Sequence, residues 1–573
     1  MPRKQLNRPK SLWDRLFYKK PMTVIEAEEK NEEIPRQLEL FDLLCIGIGT
    51  TVGTGIFATA GQIINETAGP GAALSWIVAG LACVLSGVAY MEMSSLIPSS
   101  GSCYAYAYHT LGELPAFIAA SFLTLEYAVS GAGVARTWAS KVQEWAEYVD
   151  VGRDYGWLNT QHTNVMGILI QLMCMFILLA GLDVGKKVIN TVTVIKVSLV
   201  FFMIIAGFAG MDVDNLSPFI PPMESTTGKY GYQGVMIGAS KCFFGYVGFD
   251  EVCCMAAETK NARKIMPMAV LGVVLGTCFL STLASLSLAG LQPYMFITSG
   301  FGGAFLANGW VWASWIVQVG ELLTLPLVVL VCLLAQPRLH YGLAVDGLMP
   351  KFFANIDARG NLFWNTLVTG LFFSLVSFVV PFQYIWHLVD FGVLTSFNMT
   401  NTALVVTRGG KSTGRVTGCM VGYLGTSLAA VLLLQKRCIE GDHGTCSWSI
   451  VTTMTLLACA SLCCFAHVVF LLHAAPTMDT GRGYRAPFVP FTPCLSILVN
   501  WYLLVQMDNL SMVYGLIWII AGVCLYFSYG FWNSVGQQTG WQNTLDKANN
   551  YGHDGENEEL GIPATFFKNI IQS

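Results

Sequence analysis

Two stretches of the chain set glycine and threonine, or glycine and acidic residues, inside windows that are otherwise apolar. The first, CIGIGTTVGTGIFATAGQII at 45–64, holds Gly47, Gly49, Gly53 and Gly55 beside Thr50, Thr51 and Thr54. The second, FFGYVGFDEV at 243–252, puts Gly245 and Gly248 ahead of Asp250 and Glu251. Each interior glycine costs about 1 kcal/mol of helix stability relative to alanine, so both windows favour a local break. A break frees backbone N–H groups to hold an anion and carbonyls to hold a cation. A zwitterionic amino acid presents both charges and could be bound there without any charged side chain. A lone pair of spaced glycines fits close helix packing as well. Two breaks at corresponding places in two halves of the chain point instead to an inverted-repeat transporter with its substrate site at the repeat interface. The GIGTTVG run is similar to a dinucleotide-binding loop, but neither a βαβ unit nor a polar exit accompanies it.

Covalent chemistry finds no support. The Ser, Cys and His residues form no nucleophile–base constellation, and no CxxC pair or Cys/His cluster has metal-ligand spacing. The chain therefore reads as a non-enzyme, with no catalytic residues, no metal and no cofactor expected. Most of the 17 cysteines, Cys45, Cys83, Cys174 and Cys332 among them, lie in apolar runs, where a thiol behaves as a small hydrophobe. Cys438 and Cys446 stand in a polar loop and could form a disulfide if that loop is extracellular.

The elements that would carry these windows follow from composition. Of 573 residues, 54% are apolar and only 12% charged, with a mean hydropathy of +0.54. A soluble protein carries about a quarter charged residues, so a soluble enzyme, a disordered chain and a fibrous chain are excluded. The balance of 32 basic against 36 acidic residues offers no polyanion-binding surface, which excludes nucleic acid as a partner. The chain reads as all-α and polytopic in a lipid bilayer. Windows of about 20 apolar residues, enough to cross a bilayer, fall near 41–64, 71–96, 114–138, 165–182, 188–210, 233–256, 267–290, 311–336, 363–381, 384–407, 416–434, 449–474, 490–508 and 512–533.

Fourteen windows place both termini on one side. With that side inside, cytoplasmic segments hold 24 Lys and Arg against five outside, while Arg136, Lys196 and Lys241 fall within spans. Such asymmetry sets orientation. The N-terminal MPRKQLNRPKSLWDRLFYKK is basic without an apolar core, so it reads as a cytoplasmic tail and not as a signal peptide. The resulting organisation is a tail at 1–39, a ten-helix core of two inverted repeats at 40–407, four additional helices at 408–533 and a second cytoplasmic tail at 534–573. Asn215-Leu216-Ser217 then lies outside and could carry a glycan.

A charge at bilayer depth marks a pathway by default. Lys196, in NTVTVIKVSLVFF, sits about eight residues into its span, roughly 12 Å at 1.5 Å per residue. Burial in general favours the neutral form of a lysine, so a residue there could load and release a proton near neutrality.

An ordered series of motifs resembles the cationic amino acid transporter family of the amino acid–polyamine–organocation superfamily, from about residue 36 to 533. The carrying stretches are VGTGIF (52–57), YMEMSSLIPSSGSCYAYAY (90–108), GELPAF (112–117), VARTW (134–138), FFGYVGFDEV (243–252) and ETKNARKIMP (258–267). PRLHYGLAVDGLMPKFFA (337–354), DFGVLT (390–395) and YRAPFVPFTPCLSILVNWYLLVQ (484–506) complete them. The fourteen spans are also similar to this family. Related light-chain transporters have twelve, and join a heavy subunit through a cysteine after span three. Loop 139–164 has no cysteine, so no heavy-chain subunit is expected.

The resemblance implies a ten-helix core in which helices one and six are broken. It implies that the segment from Thr51 through Gly53, Thr54 and Gly55 takes the substrate carboxylate on backbone amides. The carbonyls of Phe244, Gly245 and Val247 would receive the amino group, with Phe244 as an aromatic gate and Asp250 beside the substrate. Glu113 matches a glutamate important for transport and would suit a gating ion pair. Glu126 matches an acidic residue of some proton-coupled members, placed to contact the substrate side chain or Lys196. Lys196 itself resembles the span-five lysine of proton-coupled members, which implies proton symport. Asp390 is similar to a regular, structural family feature.

Three residues depart from the family pattern: Glu321 and Pro326 in span eight and Lys241 in span six. Pro326 should kink its helix. Lys241 could pair with Glu321 or Glu126. Unpaired, Lys241 would repel a basic substrate and Glu321 would attract one. The expected activity is alternating-access transport of a basic amino acid (arginine, lysine or ornithine), with a broad or neutral range, or an amino acid sensor, as alternatives. A channel is disfavoured, because no span carries a repeated polar stripe. The plasma membrane is the expected site, with a vacuolar or lysosomal membrane open.

Overall fold

The computed structural model describes residues 11–30, 35–53, 55–149, 164–223, 230–297, 300–358, 360–435, 448–474, 483–507, 509–542 and 544–546. Thr54, the side chain of Phe244 and the loop holding Cys438 and Cys446 lie outside the described residues. Numbered along the chain, the helices matching the expected spans are α1 (Leu40–Thr51), α2 (Ala72–Leu96), α3 (Glu113–Glu147), α4 (Val165–Leu179), α5 (Leu182–Ala209), α6 (Gly231–Cys242) and α7 (Ala262–Leu291). They continue as α8 (Val311–Val345), α9 (Phe363–Val379), α10 (Phe382–Arg408), α11 (Thr413–Leu433), α12 (Trp448–Ala474), α13 (Phe491–Val505) and α14 (Asn509–Leu525). The chain is an all-α, multi-pass membrane protein. Among the described residues, nine helical stretches are long and apolar enough to cross a membrane. The other expected spans are the shorter α4, α9 and α13, the interrupted α6, and α10. In α10 the buried Ser396, Asn398, Thr400, Asn401 and Thr402 lower the hydropathy of a helix that is interior on that side.

Helix α1 stops at Thr51, and the chain resumes as a π-helical turn at Gly55–Thr59, one α turn at Ala60–Ile63 and a second π turn at Ile64–Ala68. Thr50 and Thr51 turn their hydroxyls back onto the carbonyls of Ile46 (2.6 Å) and Gly47 (2.8 Å). Such back-bonding loosens a helix. Helix α6 gives way to a 3₁₀ turn at Phe243–Tyr246 and restarts at Glu251–Cys254. Between them Gly248 adopts φ +117°, a conformation that a side chain would strain. Helix α3 carries a π turn at Leu125–Val129, and α8 is interrupted for one residue, Leu325, just ahead of Pro326.

The two breaks lie against each other. A Cβ built on Gly55 would stand 2.6 Å from the Cα of Gly245 and 2.8 Å from the Trp76 ring of α2. One on Gly248 would stand 2.7 Å from Thr50 Cβ. Trp76 is fully buried beneath the pair, and Tyr246 Oη donates to its carbonyl at 2.8 Å. Helix α13 packs on α2 and α10, and α14 on α3 and α10. Apolar side chains such as Leu81, Phe372, Leu375, Leu516 and Ile520 face outward, as lipid-exposed helices require.

Both tails meet on one face, where Arg15 Nε donates to Gln537 Oε1 at 2.6 Å. Arg136 donates from Nε and Nη2 to the carbonyls of Ser377 and Phe378, both at 2.8 Å. It thereby satisfies the C-terminal end of α9, where orphan carbonyls and the helix dipole favour a cation. Asn215 donates its side-chain amide to Gly290 O at 2.9 Å, so the sequon nitrogen is engaged in this conformation.

Candidate functional site

The break in α1 is walled by α5 and α8. A Cβ on Gly53 would lie 2.9 Å from Lys196 Nζ and 3.0 Å from Val328. Lys196 is fully buried and donates to Gly49 O at 2.8 Å, so the ammonium caps a carbonyl of the last turn of α1. Among the described residues it makes no ion pair, including with Glu126. The neighbouring Thr193 hydroxyl donates to Cys45 O at 2.9 Å, which fixes the face that α5 presents to α1. Thr51 shares a 2.6 Å hydrogen bond with Thr277 of α7. Its hydroxyl therefore belongs to the α1–α7 contact, and only its backbone borders the break.

On the other side three carboxyl groups converge. Glu126, Asp250 and Glu251 are each fully buried. Tyr127 Oη donates to Asp250 Oδ2 at 3.1 Å, and Ser396 Oγ reaches Glu126 Oε2 at 3.4 Å. Cys332 Sγ of α8 approaches Glu251 Oε1 at 3.5 Å. One oxygen of each carboxyl, Glu126 Oε1, Asp250 Oδ1 and Glu251 Oε2, has no donor among the described residues. None of the three forms an ion pair there. A buried carboxylate without a partner is costly, so each of these groups is stabilised either by a proton or by a cation brought to it. No group of three or more His, Cys, Asp or Glu side chains among the described residues is placed to hold a metal ion.

Of the residues singled out from the sequence, Gly53, Gly55, Gly245, Val247, Asp250, Glu126 and Lys196 meet around the two breaks. Phe244 lies within the second break by its backbone. Glu321 does not join them. It sits seven residues ahead of Val328, about 10 Å along α8, and pairs with Lys141 at 3.9 Å. Lys241 reaches Thr67 Oγ1 at 3.4 Å, and makes no ion pair with Glu321 or Glu126. Glu113 lies on the tail-bearing face, and accepts from Tyr108 (2.8 Å), Tyr526 (2.8 Å), Ser534 (2.5 Å) and Gln537 (2.6 Å). It makes no ion pair among the described residues, so the expected gating pair is replaced by four neutral donors. Sequence reasoning assigned no role to Glu251, Tyr127, Ser396 or Cys332. Only Glu251 carried a signal, as a second acid beside Asp250 in the broken segment.

Residues 38–481 match the family described as amino acid permease, and residues 484–534 match that described as the C-terminus of AA_permease. A methylthioribose transporter of Bacillus subtilis (strain 168) is 33% identical over 69% of this chain and 86% of its own length. Cationic amino acid transporter 1 of Arabidopsis thaliana is 30% identical over 88% of this chain and 85% of its own. The vacuolar cationic amino acid transporter 4 of the same plant is 28% identical over 87% and 92%.

Proposed function

We propose, from the premise that this chain belongs to the amino acid permease family, that it moves cationic amino acids across its membrane by alternating access coupled to protons. Amino acid transport follows from the family; the cationic range, the proton and the cycle are our reading. The observation that carries it is the trio Glu126, Asp250 and Glu251, fully buried, with no ion-pair partner among the described residues, beside two broken helices. In this account the amides of Gly53, Thr54 and Gly55 hold the substrate carboxylate. The carbonyls of Phe244, Gly245 and Val247 hold its amino group, and Phe244 closes over it. The guanidinium or ammonium of arginine, lysine or ornithine is the cation that pairs with Glu126 and Asp250. Lys196, capping Gly49 O beside the same break, takes and releases the coupled proton, so that its charge reports on whether α1 is free to move. Both tails face the cytoplasm, the bilayer is the plasma membrane, and no heavy subunit is required. The Arabidopsis relatives, by name cationic amino acid transporters, support the substrate class.

A neutral or broad range is the second reading. Among the described residues the Lys241 side chain has a 3.4 Å hydroxyl contact and no ion pair, and the Bacillus relative is named for an uncharged sugar derivative. Purified protein in liposomes, offered a panel of labelled amino acids with and without an inward proton gradient, separates the two. The proposal expects saturable arginine and lysine uptake that the gradient accelerates. Uptake of neutral amino acids alone, or indifference to the gradient, contradicts it. Binding without flux would make the chain a sensor.

A further inference from the structure

On the tail-bearing face, Lys20 is 7% exposed and bridges two carboxylates, with Nζ 2.7 Å from Asp346 Oδ1 and 2.7 Å from Glu28 Oε2. Asp346, which closes the end of α8, also accepts from Tyr104 Oη at 2.8 Å and from Trp541 Nε1 at 3.2 Å. One carboxylate thus gathers the segment before α1, the segment after α14 and the link between α2 and α3. The backbone is docked as well: Lys20 N donates to Tyr108 O at 3.1 Å, and His109 Nδ1 lies 2.9 Å from Lys20 O. Gly112, at φ +114°, leaves the space that the Phe17 backbone fills, which a Cβ would meet at 2.6 Å. Further along, Arg263 Nη2, at the start of α7, pairs with Glu29 Oε2 at 2.9 Å. The same segment lines a cavity of about 330 Å³ together with Ser99, Ser100, Tyr104, Tyr341 and Asp346 among others. Ser100 Oγ is buried with no partner among the described residues.

We propose that the segment Lys20–Glu29 is a strap over the cytoplasmic mouth of the transport path, pinned by Lys20 on Asp346, and that the mouth opens when this pin is drawn. The proposal rests on the alternating-access reading and gives the gating role to a residue outside the membrane helices. Removing one partner of a buried pair leaves an uncompensated charge. A strap that lifts into water solvates both partners instead, so lifting and unpairing must happen together. Burial works against the Lys20 charge, but the fields of Asp346 and Glu28 outweigh it and keep the ammonium charged well above neutral pH. Burial pushes the Glu28 carboxyl up to about 7, against the pull of Lys20 and with the like charge of Asp346 adding to it. Lys20 and Asp346 are the charges facing Glu28; the Glu29–Arg263 pair lies next along the strap. Docked Glu28 holds its proton more tightly than a free glutamate near 4.5. Docking is therefore strengthened as internal pH falls from about 7 and is weakened as pH rises through that value.

The test uses the full chain with Ser99→Cys in the cavity wall, in inside-out vesicles, and the labelling rate with a membrane-impermeant maleimide above that of the parent chain. Lys20→Met and Asp346→Asn are each expected to raise that rate roughly ten-fold or more, the scale of a lost buried pair. The conservative Lys20→Arg, which keeps the charge between Asp346 and Glu28, should keep the rate near the parent's. Glu28→Gln should label slowly and alike at about pH 6 and about pH 8. Unchanged labelling in both single variants at equal membrane abundance, or Lys20→Arg labelling as fast as Lys20→Met, overturns the strap. Labelling needs no substrate, so its outcome stands apart from flux; absence of amino acid flux in the intact parent overturns the transport reading alone.

Discussion

Gly55 and Gly245 approach so closely that a Cβ on the first would stand 2.6 Å from the Cα of the second. The contact is backbone against backbone, with the Trp76 ring closing the third side, so nothing flexible can give way. Gly55→Ala should overpack the junction and cost about 1–3 kcal/mol. That would be read as a lower unfolding temperature of the purified protein together with lost uptake. An unchanged melting temperature and normal uptake would mean that the breaks do not meet as described.

Gly248 makes a related prediction through conformation. Its φ of +117° and a Cβ position 2.7 Å from Thr50 combine strain with a clash. Gly248→Ala should cost at least about 1–3 kcal/mol, measured as for Gly55→Ala, and more than an alanine at the exposed Gly414, whose Cβ would meet nothing within 4 Å.

Lys196 should separate proton drive from substrate binding. Its only hydrogen bond among the described residues is to Gly49 O at 2.8 Å, and none of the carbonyls proposed to hold the substrate depends on it. Lys196→Ala is expected to keep exchange of internal for external arginine while losing acceleration by an inward proton gradient. The two rates measured side by side in one liposome preparation decide the point. Gradient-driven uptake that survives intact removes Lys196 from the coupling.

Glu126 and Asp250 are expected to select for charge. Hydrogen bonds to charged groups contribute about 1.5–3 kcal/mol, so Glu126→Gln should raise the KM for arginine about ten- to hundred-fold. The KM for any neutral amino acid carried should stay near its original value. Equal losses for both substrate types would assign the pair to folding and not to selection.

Glu321 supplies the contrasting case. Its partner is Lys141, 3.9 Å away, with side-chain exposures of 6% and 22%. A pair of that kind contributes about 1 kcal/mol or less. Glu321→Gln should lower thermal stability slightly and leave the arginine KM unchanged. A large KM effect would return Glu321 to the substrate pocket.

The helices and both breaks were legible because their signals are local: apolar windows of bilayer length, and glycines spaced inside them. What the sequence hid is contact across helices. Lys141 read as a loop residue because hydropathy falls after Trp138, yet α3 runs on to Glu147, which carries Lys141 beside Glu321. Helix α8 extends past 336 to Val345 because Arg338 is neutralised by Glu258, through Nε at 2.5 Å and Nη2 at 3.0 Å. Hydropathy counts that arginine as a stop. The donors to Glu113 were hidden for the same reason: nothing near GELPAF announces Ser534 or Gln537, more than four hundred residues away. Helix α1 and the 55–68 segment were a single window to hydropathy, and only the glycines marked where they part.

The central claim is that exposed peptide groups of two broken helices hold the amino and carboxyl ends of an amino acid. Competition against labelled arginine on the purified protein tests it most directly, with agmatine lacking the carboxylate and N-acetylarginine lacking the free amine. The account predicts that unlabelled arginine displaces the label while both analogues are far weaker, each by about ten-fold or more for a lost charged hydrogen bond. Agmatine and N-acetylarginine competing as well as arginine would contradict it.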